Sequence, residues 1–320
     1  MTEGWKLDWP RALGAVRVSA NFRTEPEDFV VEELAFPPPS ENGEHVYLQI
    51  KKRGANTAWV AKQLAILAGV NSLDVGYFGL KDRHAVTTQW FSVWLGRRPE
   101  ADWSRLNGAE ISVLHTFRGS RKLRRGEHSG NRFKIRLRSI RGEHAAAEPA
   151  LDKIGAGVPN YFGEQRFGIH GGNLDLVRCL AEGGGRCRKS EKTFAMSTAR
   201  SWLFNQVLAE RVDAGNWREV LDGEPEEKPS GPLWGRGRNP ASRVQQELEQ
   251  RVLLPWQPWC NWLEHCGLMQ ERRALVLRPE AFNYQWEDDN LVLEFSLSRG
   301  EFATALLREV AQLVNVSSST

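Results

Sequence analysis

Apolar and polar positions alternate along several stretches of this 320-residue chain with a period of two, as they do in β-strands. The first clear case is Val46, Leu48 and Ile50, which alternate with polar or amphipathic neighbours and predict a half-buried strand. The same period returns near the C-terminus at Leu291, Leu293, Phe295 and Leu297. Both ends of the chain are therefore predicted to contribute strands.

Helical spacing separates these strand patterns. Asn56 is a suitable N-cap for a helix in which Val60, Leu64 and Leu67 recur, and Gly69 would end that helix. From about residue 157 to about residue 272 the pattern is mainly helical, and residues 197–208 are its clearest helix.

Two further predictions concern the second half of the chain. Residues 224–240 are rich in glycine, proline and charge, which predicts an exposed loop. A last helix after Gly300 should carry Leu306, Leu307, Val310 and Leu313. Strands at both ends and helices between them predict an α+β fold.

Charge is distributed unevenly. The chain has 43 Lys and Arg against 40 Asp and Glu, but residues 115–141 hold ten of the bases and one acid, Glu127. Within this stretch, residues 118–125 lack periodicity and predict a loop or arm. Residues 132–138 alternate strictly, so we expect a strand with an apolar face and a face of four bases, Arg132, Lys134, Arg136 and Arg138. A concentrated basic patch favours a nucleic-acid partner over a merely solvated edge strand.

Composition narrows the class of protein. An apolar fraction of 41% with 26% charged residues is typical of a soluble globular protein. No apolar run reaches the length of a membrane span, and the first residues lack a charged-then-apolar signal layout. Four cysteines without zinc-finger spacing, and glycine runs at 183–185 and 235–237 outside any strand–loop–helix context, indicate no metal and no nucleotide cofactor. We expect a cytoplasmic protein.

One short stretch concentrates chemically active side chains. Lys81, Asp82, Arg83 and His84 are consecutive. A carboxylate between two bases should stay ionised at neutral pH, which suits a nucleophile or a charge stabiliser better than a general acid. Taken alone, such a run is more often a solvated turn between strands.

The motif around this run resembles a known signature. Residues 79–87, GLKDRHAVT, are similar to the signature of the TruD family of tRNA pseudouridine synthases, whose catalytic aspartate matches Asp82. Residues 23–29, RTEPEDF, resemble a second element of that family. The resemblance implies that Arg23 pairs with Asp82 bidentately, that Phe29 lines the site and that Lys81 helps to keep Asp82 charged.

Three more motifs follow in the family's order: Asn131-x-Phe133, residues 160–168 (NYFGEQRFG) and residues 300–309 (GEFATALLRE). The resemblance implies a substrate-binding set of Arg23, Phe29, Lys81, Asn131, Phe133 and Phe302. Period-two logic also places Phe133 in the core, which is compatible with lining a pocket at a strand end. For RNA backbone contacts we expect the basic loop residues Arg121, Lys122, Arg124 and Arg125.

The resemblance also implies an architecture. Residues 1–156 and 277–320 would form a discontinuous catalytic domain, with a mixed or antiparallel sheet and flanking helices. A mainly helical α/β TRUD insertion domain at 157–276 would interrupt it. The resemblance is weakest at about 224–270.

The implied activity is isomerisation of a uridine, typically position 13 of tRNA, to pseudouridine, with no cofactor, no metal and no obligate protein partner. The sequence offers one motif carboxylate, which fits isomerisation better than two-carboxylate glycoside hydrolysis. Two other classes stay open: a non-catalytic RNA-binding protein, and a metal-free ribonuclease that uses His84, His115 or His128.

Overall fold

The computed structural model describes residues 4–41, 43–183, 185 and 187–316. The ends of the predicted catalytic domain, 1–3 and 317–320, lie outside the described residues. So does Gly184 of the first glycine run.

The elements occur in the following order. The strands are β1 Ser19–Phe22, β2 Phe29–Leu34, β3 His45–Arg53, β4 Val75–Tyr77, β5 Val86–Trp94, β6 Ile111–Gly119, β7 Gly130–Arg141, β8 Val158–Pro159, β9 Ser230–Leu233, β10 Glu271–Ala274, β11 Val276–Leu277, β12 Glu280–Glu287, β13 Asn290–Ser298 and β14 Gln312–Asn315. The α-helices are α1 Thr57–Ala68, α2 Glu148–Ile154, α3 Gly172–Ala181, α4 Lys189–Asp213, α5 Arg243–Leu253, α6 Gln257–Glu264 and α7 Ala303–Val310.

The chain divides into two compact units. The sheet unit comprises Val16–Leu151, Pro279–Gly300 and the described part of Ala311–Thr320. The helical unit comprises Asp152–Arg278, Glu301–Val310 and the described part of Met1–Ala15. The predicted division into a catalytic domain and a TRUD insertion domain, with boundaries at 156 and 276, stays a prediction.

The sheet unit is built on one mixed sheet of ten strands. Its main order is β12-β13-β7-β2-β5-β3-β6; β1 bridges β7 and β14, and β4 pairs with β5. Strands β2 and β5 are parallel, as are β1 and β14, and the other pairs are antiparallel. Strand β7 is therefore central, and the predicted α+β class is confirmed.

Helix α1 covers one face of this sheet. Asn56 caps it by accepting a hydrogen bond from the backbone N–H of Trp59, and Gly69 ends it in the left-handed conformation that glycine tolerates best. Val60 and Leu64 then pack against apolar residues of β3 and β5. The sequence prediction of this helix and both of its caps is confirmed.

The helical unit has its own core. The long helix α4 supplies most of it, with Trp202, Leu203 and Phe204 fully or nearly fully buried. Trp9 joins the same cluster, and its ring contacts Trp202 with centroids 5.0 Å apart. Two short antiparallel pairings of strands distant in sequence, β9 with β10 and β8 with β11, complete this unit.

Two sequence predictions on strand burial were wrong in part. Strand β3 is covered on both faces, because Tyr47 packs with Phe78 and Trp90 on the face opposite α1. Residues 224–240 are not one exposed loop, because β9 lies within them and Ser230 is fully buried. The polar composition of residues 224–240 does not indicate that part of this segment pairs with β10, a strand distant in the sequence.

Two predicted element boundaries also shift. The last helix ends at Val310, and Leu313 belongs to β14, because residues 312–315 pair in parallel with β1. Arg118 lies in β6, paired opposite Val46, so the predicted loop begins only after Gly119. In both places long-range strand pairing overrides the local pattern.

Among the described residues, no helix is long and apolar enough to cross a membrane.

Candidate active site

Asp82 lies in the loop between β4 and β5, at the surface of the sheet unit. Its side chain is 47% exposed, and one carboxylate oxygen accepts a hydrogen bond from Nη2 of Arg23 at 2.8 Å. The expected pairing partner is therefore in place, but through a single bond and not the bidentate pair that we expected. About half of the side-chain surface of Asp82 stays open to solvent, so a ligand can reach it.

Arg23 is held firmly on the protein side of this pair. Its side chain is only 8% exposed, and its guanidinium lies over Phe29 at 4.3 Å and over Phe22 at 4.9 Å from the ring centroids. This stacking turns one nitrogen towards Asp82, which accounts for the single bond. The backbone of Arg23 has a positive φ of 58°. This conformation is unusual for residues other than glycine and is often found at functional sites.

A buried lysine fixes the backbone of the same loop. Lys52 is fully buried, and its Nζ donates to the carbonyl oxygens of Asp82 at 2.9 Å and Ala55 at 2.7 Å. Burial lowers the pKa of Lys52 to about 8, although the nearby charge of Asp82 opposes that change. The position of Asp82 is thus tied to β3 and to the turn before α1.

Two neutral side chains hold the start of the loop. Gln89 of β5 donates from Nε2 to the carbonyl oxygen of Gly79 at 3.0 Å. Its Oε1 accepts from the hydroxyl of Thr57 at 2.9 Å, and Thr57 Oγ1 accepts from the backbone N–H of Lys81 at 3.0 Å. Gln89 and Thr57 are both buried. Residues 79–82 are therefore anchored at three backbone positions by buried side chains.

Lys81 points away from solvent, into a buried polar cluster. Its Nζ lies 2.8 Å from Oε1 of Glu33 and donates to Oδ1 of Asn131 at 2.8 Å. Glu33 and Asn131 face each other on β2 and β7. Burial raises the pKa of Glu33, while Lys81 and the N–H of Trp90 oppose the rise. The contacts of Lys81 are thus with Glu33 and Asn131, and its predicted effect on Asp82 stays a prediction.

Two of the three predicted aromatic residues, Phe29 and Phe133, lie in the sheet unit on the strands that carry Glu33 and Asn131. Phe29 and Phe133 are buried and contact each other with ring centroids 6.0 Å apart, and Phe133 stacks on Phe295 at 5.4 Å. Phe302 belongs to the helical unit, where its ring contacts Phe162 at 5.8 Å. The sheet unit therefore brings together five of the six predicted substrate-binding residues, namely Arg23, Phe29, Lys81, Asn131 and Phe133.

Four polar residues of the site were not predicted from the sequence: Lys52, Glu33, Gln89 and Thr57. The three that lie on strands carry a signal, because each continues the buried face of its strand. Lys52 follows Leu48 and Ile50 at a spacing of two, and Glu33 follows Phe29 and Val31 in the same way. A polar residue that extends an apolar face must find a buried partner, which marks it as a candidate anchor.

One histidine of the ribonuclease alternative, His128, is unsuited to act as a general acid. Burial, with Lys81 and Arg299 nearby, lowers the pKa of His128 to about 4, so its imidazole is neutral at pH 7. His115 is exposed on β6. Among the described residues, no group of three or more His, Cys, Asp or Glu side chains is arranged to hold a metal ion.

The basic loop after β6 keeps part of its charge available. Arg121 pairs with Glu127 at 2.8 Å, Lys122 donates to the carbonyl of Leu73, and Arg125 donates to the hydroxyl of Tyr77. The side chain of Arg124 has no partner within the part of the chain that the structure describes. The side chains of Arg121, Lys122, Arg124 and Arg125 are exposed, whereas Leu123 between them is buried.

The basic face of β7 differs from the expectation. Every base on it has an acidic partner, in the pairs Arg132–Glu32, Lys134–Glu294, Arg136–Glu287 and Arg138–Asp28. Strand β7 is also central, flanked by β2 and β13, and not an edge strand. The neighbouring strands supply the acids, so the predicted cationic face is largely neutralised.

Comparison with known proteins gives one consistent family. A sequence model described as tRNA pseudouridine synthase D (TruD) matches residues 13–179 and 224–310. Residues 180–223, between the two matched segments, are left unmatched, whereas we expected the resemblance to be weakest at about 224–270.

Individual relatives agree with this match. The chain is 51% identical to the tRNA pseudouridine synthase D of Cellvibrio japonicus over 97% of this chain and 95% of that one. It is 43% identical to the protein of the same name from Marinobacter nauticus over 98% and 97%. A crystal structure from Methanosarcina mazei, assigned to tRNA pseudouridine synthase D, has a similar fold, with a TM-score of 0.73 at 20% identity over 96% of both chains.

Proposed function

The chain belongs to the tRNA pseudouridine synthase D (TruD) family, and we propose that it isomerises a uridine of tRNA to pseudouridine with Asp82 as the catalytic carboxylate. The observation that carries the role of Asp82 is its geometry. It is a half-exposed carboxylate on a loop with three buried anchors, and it is bonded to one nearly buried guanidinium.

The reaction needs a carboxylate of this kind. The C1′–N1 glycosidic bond breaks, the uracil turns while it is still bound, and a C1′–C5 bond forms as the proton at C5 is lost and N1 gains one. Substrate and product have the same composition, so no redox cofactor is consumed. A carboxylate beside C1′ acts either as a nucleophile, as a stabiliser of an oxocarbenium-like sugar, or as the base that takes the 2′ proton.

The surrounding residues support each of these routes. Arg23 places its guanidinium 2.8 Å from the carboxylate and, through this charge-assisted hydrogen bond, fixes the orientation of the carboxylate. Lys52 holds the backbone carbonyl of Asp82, so the side chain starts from a fixed position. Lys81, Asn131, Phe29 and Phe133 form the layer under the loop that we propose as the floor of the uridine site.

The target base must leave its stack to reach Asp82, because a stacked nucleotide hides C1′ and the base edges. The exposure of Asp82 at the surface of the sheet unit fits a flipped nucleotide better than a small diffusible substrate. The substrate-binding role that the family resemblance implies for Phe302 stays a prediction. We also propose that Arg121, Lys122, Arg124 and Arg125 contact the RNA backbone.

Three finer statements belong to the same proposal. The modified nucleotide is position 13, residues 157–276 act as the TRUD insertion domain of a catalytic domain formed by the two ends of the chain, and the enzyme works in the cytoplasm without an obligate protein partner. Each follows from the family resemblance of the motifs.

The two other classes are less well supported. A ribonuclease of the acid–base type needs one imidazole as general acid and another as general base, and the lowered pKa of His128 makes this residue unsuited to the acid role. A purely RNA-binding protein has no use for an ordered, accessible carboxylate beside a stacked arginine.

The decisive experiment uses a tRNA transcript incubated with the wild-type protein, with Asp82→Asn and with Asp102→Asn, which alters an exposed aspartate on another loop of the sheet unit. Base composition and chain length are then measured. We expect pseudouridine and an intact chain from wild type and Asp102→Asn, and a rate at least about 10³-fold lower from Asp82→Asn.

Each other outcome has a clear meaning. Pseudouridine at equal rates from all three proteins would keep the enzyme and remove Asp82 from its chemistry. Tight binding without product from any of them would favour the RNA-binding protein, and shortened RNA would favour the nuclease.

A further inference from the structure

A cavity opens beside the Asp82 loop, and nothing in the reaction described above uses it. Its volume is about 380 Å³, and its lining is formed by Gly54, Ala55, Asn56, Trp59, Arg83 and Glu110. All six residues belong to the sheet unit. The cavity thus has an aromatic ring, a guanidinium and a carboxylate on one lining.

The cavity and Asp82 are neighbours through Lys52. The ammonium of Lys52 donates to the carbonyl oxygen of Ala55, in the cavity wall, and to that of Asp82. Arg83, which follows Asp82 directly, lines the cavity and donates from Nε to the carbonyl of Gly54 at 3.4 Å. A nucleotide bound at Asp82 would therefore place the next nucleotide of the same strand close to this cavity.

Trp59 is the unusual member of the lining. It is a tryptophan with 40% of its surface exposed, in the first turn of α1. The similarly exposed Trp94 donates to Glu44 and lies near Arg98. Among the described residues, no aromatic ring contacts the indole of Trp59 and no cationic group lies over it. Its indole face is free to stack on a ligand.

The charged groups give the ligand an orientation. The Nη atoms of Arg83 have no ion-pair partner within the described ranges, so they can meet a phosphate. The carboxylate of Glu110 would repel a phosphate, but it can accept a hydrogen bond from an exocyclic amino group. Adenine, guanine and cytosine carry such a group, and uracil does not.

We propose that this cavity binds the nucleotide adjacent to the target uridine, with its base stacked on Trp59, its phosphate at Arg83 and an amino group of the base directed to Glu110. The inference rests on the proposed function, because the neighbouring nucleotide is defined by the uridine at Asp82. It adds a second base-recognition site to the enzyme, and that site selects for amino-bearing bases.

The test measures RNA binding in the Asp82→Asn background, so that no turnover occurs. The equilibrium dissociation constant of a tRNA transcript is measured for the protein with Trp59 unchanged, for Trp59→Ala, for Trp59→Phe and for the matched control Trp94→Ala. We expect Trp59→Ala to weaken binding about tenfold, since one base–aromatic stack is lost, and Trp59→Phe to weaken it less than about threefold. An unchanged constant for Trp59→Ala, or an equal loss for Trp94→Ala, would overturn the proposal.

A set of transcripts with one abasic nucleotide each then locates the contact. For one abasic position, the protein with Trp59 and the Trp59→Ala variant should bind the RNA equally well, because the stacked base is already missing. That position should adjoin the nucleotide that the wild-type protein converts. Coupling at a distant position, or at none, would contradict the proposal. Arg83→Gln is a second, independent variant, and it should lower the slope of log Kd against log salt by about 1.

The two proposals fail separately. If wild type forms pseudouridine but Trp59→Ala binds normally, the proposed function stands and the nucleotide site does not exist. If no pseudouridine forms, the proposed function fails, and without a converted uridine the assignment of this cavity to its neighbour falls with it. A coupled position would then show only a general nucleotide site.

Discussion

The Asp82 loop and the basic face of β7 are both dense in charge, but they differ in how far that charge is satisfied within the protein. On β7, each outward-facing base from Arg132 to Arg138 meets an acid of a neighbouring element. In the Asp82 loop, some charged groups are buried and paired, and one is exposed. Lys81 and Glu33 form a buried pair, while Asp82 above them is half exposed and has a single bond to Arg23.

This difference in pairing shows which charged side chains are available for function. The alternation of bases along the sequence favoured a nucleic-acid contact for the β7 stretch, yet acids on neighbouring elements largely neutralise its charge. Asp82 keeps unused hydrogen-bonding capacity on a fixed backbone, which a reaction requires. Residual capacity and burial, and not charge density, therefore separate the candidate site from the structural pairs.

The buried pair under the loop should give the largest effect. Lys81→Met leaves the carboxylate of Glu33 buried without its cation, and breaking such a pair costs about 3–5 kcal/mol of unfolding free energy. Lys134→Met breaks the exposed pair with Glu294 on β7 and should cost less than about 1 kcal/mol. Urea unfolding of both variants measures the contrast, and equal losses would remove the distinction between the two regions.

The pH dependence of Lys81→Met follows from Glu33. Burial raises the pKa of Glu33 in the folded protein above its unfolded value, so the folded state favours the protonated form. Stability contributed in this way is present at low pH and is lost as pH rises through the raised pKa. The destabilisation of Lys81→Met should therefore be smaller at pH 5 than at pH 8, and Glu33→Gln in addition should remove the dependence.

Lys52 tests the anchoring of the loop. Lys52→Met removes the bonds to the carbonyls of Asp82 and Ala55, so we expect kcat to fall about 10-fold to 100-fold with little change in KM, because the carboxylate is misplaced while the RNA-binding surface is intact. Lys51→Met, at the exposed neighbouring position of the same strand, is the matched control. A loss confined to KM would mean that Lys52 does not position Asp82.

The lowered pKa of Lys52 gives this variant a second signature. Between the folded value of about 8 and the unfolded value near 10.5, the unfolded chain binds more protons at this residue, so stability contributed by Lys52 rises with pH. Wild type should therefore gain stability relative to Lys52→Met as pH increases from 8 to 10. Unfolding in urea at several pH values measures the gap, and a constant gap would contradict the burial of a titrating ammonium.

A smaller effect is expected from Arg23→Lys. Lysine keeps the charge but loses the planar stacking on Phe22 and Phe29 that fixes the guanidinium against Asp82. We expect kcat to fall about tenfold and the dissociation constant of tRNA to change less than about twofold. Arg23→Gln, which also removes the charge, should lose more. Equal activity of wild type and Arg23→Lys would show that charge alone is sufficient at this position.

Much of the fold could be predicted from local sequence because the local signals agree with the tertiary structure. Asn56 and Gly69 cap α1 where the pattern placed them, and Phe133, Ile135 and Leu137 form the buried face of β7. The errors fall where a distant strand decides the outcome. Leu313 leaves the predicted helix because β14 pairs with β1, a partner almost 300 residues away along the chain.

The candidate site divides in the same way. Asp82 and Arg23 were found through motifs, and the structure brings them together at 2.8 Å. The partners on β7 could not be predicted, since Glu32, Glu287 and Glu294 lie on other strands and only the sheet order brings them next to the bases. A single sequence reports which side chains share a face, and it does not report which strand lies beside them.

The smallest predicted effect compares the two basic stretches directly. Arg124 is exposed and has no side-chain partner within the described part of the chain, whereas Lys134 is paired with Glu294 at 2.7 Å. Arg124→Gln should weaken tRNA binding a few-fold and lower the slope of log Kd against log salt by about 1, because one phosphate contact is lost. Lys134→Gln should leave the slope unchanged, since that charge is already neutralised. If Lys134→Gln lowers the slope as much as Arg124→Gln does, RNA competes successfully with the acids of the sheet, and the basic face of β7 is a binding surface after all.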